Sequence, residues 1–288
     1  RFRVTPRPFF HGVGGMEGYS TMRGAFMMRP VSRNRGCQTV RMSPSRRVGK
    51  RLIVIAASIV AAIGILAMLV FNGVLWPARL FAASYPVRGI DISSYQGVVD
   101  WEELASQDID FAYIKATEGS KSTDSRFSAN WAGASRTDLL IGAYHFVSFE
   151  STGEAQAAHI IETVPKGATL PIALDLEYYG DFFAHPPTRE KVDAILEPLL
   201  RLLEEHYGAP PVIYATSSAY DRYLSGGYPD NPIWIRSIVL PPTLNDGRDW
   251  TIWQYSDHDR LKGYAGVEQY IDMNVFHGTR DELAALAG

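Results

Sequence analysis

Cysteine is almost missing from this chain: Cys37 is the only one among 288 residues. No disulfide can therefore form within the chain, and a folded domain must be held by packing alone. HExxH and HxxxH are absent and the seven histidines are scattered, which removes the usual zinc-hydrolase signatures. No internal repeat of fixed period occurs, so a solenoid or propeller is excluded. Acid is what the first 51 residues lack. They carry twelve Arg and Lys against Glu17, whereas the rest of the chain holds sixteen basic and thirty acidic residues. Such asymmetry fits a nucleic-acid-binding tail or the cytoplasmic flank of a membrane segment. The folded remainder is acidic, the wrong sign for a phosphate backbone, so nucleic acid is not expected as a partner.

Charge is missing altogether from residues 52–71, LIVIAASIVAAIGILAMLVF. At 1.5 Å per residue this run spans roughly 30 Å, the hydrocarbon thickness of a bilayer. A buried core helix is the competing reading, but one this long without a polar face is unusual. Arg46, Arg47, Lys50 and Arg51 precede the run and only Arg79 follows closely. The positive-inside rule then puts the N-terminus in the cytoplasm and everything after the span outside. A single-pass anchor is expected, with residues 1–51 as a basic disordered tail and 72–87 as a linker. Met42 opens the compact positive region MSPSRRVGKR and is the expected natural start. The alternative is secretion after cleavage near Ser84, although a signal peptide's apolar region is normally shorter, about 7–15 residues.

Beyond the linker, 88–288 reads as one catalytic domain. Eight apolar runs predict strands: GIDIS (89–93), FAYIKAT (111–117), LLIGAYHFV (139–147), LPIALDLE (170–177), PVIYAT (211–216), PIWIRS (232–237), WTIWQYS (250–256) and QYIDMNVF (269–276). Several are near-continuous rather than alternating, as for strands covered on both faces. Residues 188–207 predict a helix with Thr188 as N-cap and Gly208 as stop, and with a kink or break at Pro198. Further helices are predicted over 153–163 and 124–137, and 217–231 and 238–249 read as irregular. Eight strands with intervening crossovers predict an α/β fold, an irregular (β/α) TIM-like barrel preceded by one transmembrane helix. In such a barrel the chemistry collects at the C-terminal ends of the strands.

Acids sit where that rule wants them. Asp91, Asp175, Glu177 and Asp272 interrupt apolar strands, where an unpaired carboxylate costs several kcal/mol. Asp175 and Glu177 flank Leu176, so period two puts both on one face, with Cα atoms roughly 6.6 Å apart. Carboxylates held this close resist ionising together, the condition under which one stays protonated as an acid. Glycoside hydrolysis needs such an acid and a second group to stabilise an oxocarbenium-like state. On its own a DxE pair is weakly specific and also describes an edge strand facing water.

The wider pattern narrows the reading. GIDISSYQGVVDW (89–101), FAYIKATEG, IGAYHF, IALDLE, VIYAT, IWIR, IWQYS and IDMNVF, in this order, resemble glycoside hydrolase family 25, the Chalaropsis-type muramidases. The resemblance covers essentially all of 88–277 and implies an irregular barrel that cleaves the β-1,4 bond between N-acetylmuramic acid and N-acetylglucosamine in peptidoglycan. By position it implies Glu177 as general acid/base, and Asp175 assisting the substrate's 2-acetamido group. Asp91 and Asp272 become supporting carboxylates. It implies peptidoglycan glycan strands as partner; no cofactor and no metal are expected, and the chain is expected to be a monomer. Tyr144, Tyr214, Tyr95, Tyr178, Trp253 and Gln254 are the expected substrate contacts, since flat rings stack on sugars. His145 alternates with Tyr144 and is expected to be structural, and Gln96 to tie neighbouring loops together. Arg236 stands where the family often has a small residue. A cation there would lower the acids' pKa or bind a peptide-stem carboxylate. The segment YYGDFFAHPPT (178–188) is expected to shape the cleft. The competing readings are a metal-dependent hydrolase using the same acids, and a non-catalytic peptidoglycan-binding scaffold on a membrane anchor.

Overall fold

A computed structural model describes residues 44–71 and 76–288. The chain divides into two units, one ending at Met68 and one running from Leu69 to Gly288. The first is represented by helix α1 (Pro44–Phe71), whose segment Val48–Val70 has a mean hydropathy of 2.9 and no buried residues. It has the length and apolarity to cross a bilayer. The helix begins eight residues before the apolar run. Pro44 suits a first turn and Arg and Lys are good helix formers, so residues 44–51 continue the helix. The rest of the expected tail, with the expected start at Met42 and with Cys37, lies outside the described residues.

The second unit is a barrel. Its strands are β1 (Arg88–Ile92), β2 (Phe111–Glu118), β3 (Ser122–Thr123), β4 (Leu140–Phe146), β5 (Ala173–Leu176), β6 (Val212–Thr216), β7 (Ile233–Arg236), β8 (Ile252–Asp259) and β9 (Ile271–Phe276). β3 is a two-residue hairpin partner of β2. The other eight run β1-β9-β8-β7-β6-β5-β4-β2, and pairing of β1 with β2 closes the ring. All eight apolar runs of the sequence are barrel strands. Seven are mutually parallel, and β9 is antiparallel to both of its neighbours. The cause is the connection 260–270, which contains no helix. Without a crossover element the chain can only turn back on itself.

Alternation along the strands sorts the apolar side chains into two cores. Inside the barrel lie Phe111, Tyr113, Tyr144, Tyr214, Trp234, Ile252 and Phe276. Their neighbours Ala112, Ile114, Ala143, Leu174, Leu176, Ile213, Ile235, Trp253 and Val275 face the surrounding helices. Glycine creates the room for the interior rings: a Cβ on Gly142 would sit 2.5 Å from the Tyr113 ring.

The helices are α2 (Ala78–Ala82), α3 (Trp101–Ala105), α4 (Phe127–Ala134), α5 (Gly153–Thr163), α6 (Arg189–Tyr207), α7 (Ser217–Ala219) and α8 (Arg280–Ala284). α6 carries its predicted caps: Thr188 Oγ1 accepts from the Lys191 N–H, and Gly208 stops it at φ 87°. Of the expected kink or break at Pro198, a break does not occur, since the helix runs on through that residue. Proline in a helix interior costs about 3 kcal/mol. Val192, Ile195, Leu196, Leu199, Leu200 and Leu203 are buried on both sides of it, and each contributes roughly 1.5–3 kcal/mol. Burial wins. α4 is shorter than the predicted 124–137, because Asp124 Oδ1 accepts from the Arg126 N–H and makes a turn there. Segment 217–231 is not wholly irregular: α7 leads into a π-helical turn, Tyr220–Leu224, with Tyr220, Tyr223 and Leu224 buried.

The expected linker is also corrected. Residues 76–85 are packed on the barrel: Ala78 and Ala82 are buried, and Arg79 pairs with Asp259 at 3.1 Å. Trp76 stacks on His258 with ring centroids 5.0 Å apart, and Tyr85 lies edge-on to Trp250 and Trp253.

Candidate active site

The acids converge on one mouth of the barrel. Asp91 is the next-to-last residue of β1 and Asp175 that of β5, with Glu177 just beyond the strand. Asp272 is the second residue of β9, and because β9 runs the other way its start lies at the end of the barrel where the parallel strands finish. In register Asp91 and Asp272 are directly opposite, and Asp175 neighbours Tyr214. Asp91, Asp175 and Asp272 are only 5–6% exposed, while Glu177 is half-buried and closer to solvent.

Two carboxylates opposite each other in a sheet repel, so something must hold them. Amide donors do this. Gln254 Nε2 donates to Asp91 Oδ2 at 2.8 Å and reaches Asp272 Oδ2 at 3.5 Å, and Asn274 Nδ2 donates to Asp91 Oδ2 at 3.1 Å. Both amides are themselves fixed, since the Tyr214 hydroxyl donates to Gln254 Oε1 at 3.0 Å and Trp234 Nε1 donates to Asn274 Oδ1 at 2.8 Å. The floor of the mouth is thus one hydrogen-bonded network running Tyr214, Gln254, Asp91, Asn274 and Trp234. In a buried site such a network sets side-chain positions tightly, because every broken link strands a polar group.

One cation stands at the rim. Arg236, at the end of β7, donates Nη2 to Asp257 Oδ2 at 2.8 Å, and Asp257 Oδ1 meets His258 Nδ1 at 2.5 Å. Burial works to lower the guanidinium's pKa, but Tyr214, Asp257 and Glu177 outweigh it and the group ends above its ordinary value. Burial likewise works to raise Asp257, but the His258 hydrogen bond and the Arg236 charge overcome it and hold this carboxyl below the usual range. Lys115, on β2, pairs with Glu118 at 2.7 Å and lies 5.2 Å from the centre of the Phe146 ring. Among the described residues no three His, Cys, Asp or Glu side chains are grouped to hold a metal ion.

The expected contact residues divide. Tyr144 and Tyr214 point into the barrel but are almost fully buried, so they have little ring face to offer a sugar. Tyr95 lies on the turn after β1 and is 42% exposed. Tyr178, next to Glu177, is half-buried, with its ring edge-on to Tyr223 at 5.9 Å. Trp253 does not join them. It faces outward from β8, fully buried, edge-on to Trp250 and with Nε1 donating to Ser237 O at 2.7 Å. The cause is alternation: its neighbour Gln254 faces in.

His145 is structural. It lies between Thr117 Oγ1 (2.7 Å) and Gln156 Oε1 (2.9 Å), and burial pushes its pKa down to about 4. Gln96 ties loops together, donating Nε2 to Tyr270 O and accepting from the Ser93 N–H. In the 178–188 segment Tyr179 stacks on Phe149 with its hydroxyl accepting from the Phe149 N–H, while Phe183 stays exposed. Asn274, Asp257, His258 and Lys115 were not anticipated. Asn274 was readable, lying two residues after Asp272 and so on the same face.

Comparison with known proteins bears on this geometry. The family model for glycosyl hydrolases family 25 matches residues 90–264. Lysozyme M1 of Streptomyces globisporus is 34% identical over 219 residues, 70% of this chain and 71% of that protein. N,O-diacetylmuramidase of Chalaropsis sp is 32% identical over 219 residues, covering 70% of this chain and 99% of that one. Among solved structures, a family 25 glycosyl hydrolase from Bacillus anthracis is 47% identical with a TM-score of 0.68, over 71% of this chain and 95% of that chain. With its barrel and its four acids at one mouth, the chain is a glycoside hydrolase and belongs to glycosyl hydrolase family 25.

Proposed function

We propose that the chain is a peptidoglycan muramidase, hydrolysing the β-1,4 bond between N-acetylmuramic acid and N-acetylglucosamine. The observation that carries this is the DxE pair: Asp175 anchored in the barrel wall and Glu177 beyond it, half-buried at the mouth. Glu177 is the general acid that protonates the leaving glycosidic oxygen and later the base that activates water. Asp175 orients the substrate's 2-acetamido group, whose carbonyl oxygen attacks the anomeric carbon as the bond breaks. Water then opens the cyclic intermediate from the same face, so configuration is retained. Asp91 and Asp272 supply the negative field beneath the developing positive charge, and Gln254 and Asn274 hold Asp91 in place. Tyr95 and Tyr178 are the ring contacts with most free surface. The names of the relatives, lysozyme and N,O-diacetylmuramidase, support this substrate.

The test is mass spectrometry of fragments released from purified peptidoglycan by the full chain and by Glu177→Gln. Release of fragments ending in reducing N-acetylmuramic acid, lost by a factor of about 10² or more in the variant, is the expected result. Sacculus binding by a folded chain without release would favour a non-catalytic scaffold instead.

The site of action is proposed to be the outer face of the membrane, with α1 as an uncleaved single-pass anchor and its N-terminus cytoplasmic. Cleavage near Ser84 would discard Trp76, Ala78, Arg79 and Ala82, all of which pack on the barrel. A mature domain that keeps them is the better-packed one.

A further inference from the structure

We infer that Arg236 is a specificity residue, whose guanidinium takes a carboxylate carried by the muramic acid residue of the strand. The inference rests on the muramidase reading for the identity of the substrate and deepens it.

Three observations carry it. First, Arg236 is held but not used up. Among the described residues it donates one hydrogen bond, from Nη2 to Asp257, which leaves four of a guanidinium's five N–H groups for a ligand. Its side chain is 31% exposed, so those donors have an opening to face. Second, its direction is fixed from behind. Asp257 also meets His258, and the His258 ring is stacked under Trp76 and tilted against Tyr270 at 4.8 Å. A braced, planar fork suits a planar anion, and loses little freedom on binding it. Third, the mouth otherwise presents Asp91, Asp175, Glu177 and Asp272, while Lys115 is matched by Glu118. A neutral sugar chain needs no cation there. A strand bearing a carboxylate does, because four acids repel it.

The alternative role, tuning Glu177, is weaker. Asp257 at 2.8 Å offsets the guanidinium charge, so Glu177 meets a neutralised pair rather than a bare cation. The directional N–H groups survive that neutralisation; the long-range field does not.

Two sources offer this chemistry: the lactyl carboxyl, free when the stem peptide has been removed, and the carboxylates of the stem itself. The experiment separates them. The full chain carrying Glu177→Gln, in detergent micelles, is titrated with stem-free glycan strands and with stem-bearing strands. Each strand is also prepared with its carboxyl groups converted to neutral methylamides. The same titrations are run with Arg236→Gln and Arg236→Lys added. Removing the guanidinium should weaken binding of a carboxylate-bearing strand about tenfold to a hundredfold, the worth of one charge-assisted contact, and leave the methylamide strands unchanged. Lysine should recover part of the loss. A loss confined to stem-free strands assigns the lactyl carboxyl, and one confined to stem-bearing strands assigns the stem. An equal loss on methylamide strands, or no loss on any strand, overturns the inference. Hydrolysis by the unmutated chain is scored separately. Carboxylate-dependent binding without hydrolysis would sink the muramidase reading while the Arg236 contact stood.

Discussion

His145 sits on the outer face of β4, fully enclosed, and its hydrogen bonds fix its protonation state. Gln156 Oε1 already accepts from the Ser148 N–H, and Gln156 Nε2 donates to the carbonyls of Ser148 and Ser151. The amide orientation is therefore determined, and His145 Nε2 must donate to Oε1. Nδ1 is then the acceptor for the Thr117 hydroxyl. A second proton would reverse the Thr117 hydrogen bond and place a charge in a fully enclosed site, and that burial pushes the pKa down to about 4 from 6.5. The sign follows from linkage. Between those values the unfolded chain binds the proton and the folded chain does not, so stability is complete above pH 6.5 and falls as pH drops towards 4. At about 1.4 kcal/mol per unit, the whole window is worth roughly 3 kcal/mol, a large share of a domain's 5–15. All six tryptophans lie between residues 76 and 253, so their fluorescence reports this domain alone. Urea unfolding of the chain in micelles, followed by that signal from pH 7.5 to 4.5, gives the slope. His145→Gln, neutral throughout, carries every other titrating group. Wild type should lose stability faster than the variant below pH 6.5, by about 1.4 kcal/mol per unit. Parallel pH profiles for the two proteins would refute the reasoning.

Gln254→Leu should be more damaging than its distance from the reacting bond suggests. It removes the 2.8 Å donor to Asp91 and leaves the Tyr214 hydroxyl without its acceptor, which costs about 1–3 kcal/mol per stranded group. Thermal unfolding should show the loss, with muropeptide release falling alongside; an unchanged melting temperature would mean the network is not holding Asp91. For the anchor, intact-mass and alkaline-extraction measurements on membranes should find Trp76–Ala82 still attached to a domain that resists extraction. A soluble product beginning at Ser84 would overturn that reading.

Much of the barrel was legible because its signals are local. Strand runs such as FAYIKAT and IALDLE are short, apolar and bounded, and Asp175 and Glu177 share a face by the two-residue period alone. The same period turns Trp253 outward once Gln254 faces inward, and the expected sugar contact at Trp253 ran against it. α2 was missed because a five-residue helix gives no readable period, and what holds it is tertiary: Ala78, Ala82 and Trp76 against β8. At Pro198 local propensity argued for a kink or a break, and long-range burial keeps the helix unbroken there.

The Arg236–Asp257–His258 chain was illegible for a more specific reason. Counting by twos from Gln254 turns Asp257 away from the barrel interior, out of reach of Arg236. β8 does not keep that count: its pairing with β9 shifts register between Gln254 and Ser256 and again before Asp259. A bulge inserts a residue and exchanges the faces beyond it, so Asp257 comes round to meet Arg236. The two strands differ here in a way that matters. Up to Gln254, β8 belongs to the regular wall and contributes the amide that positions Asp91. Beyond it, the irregular extension contributes Asp257, the carboxylate that braces the rim guanidinium of Arg236. Regular pairing therefore holds Asp91 through Gln254, and the bulged segment holds Arg236, the residue proposed to discriminate between strands. Substitutions in β8 before the bulge should then act on turnover of every substrate, and those after it on the choice among them.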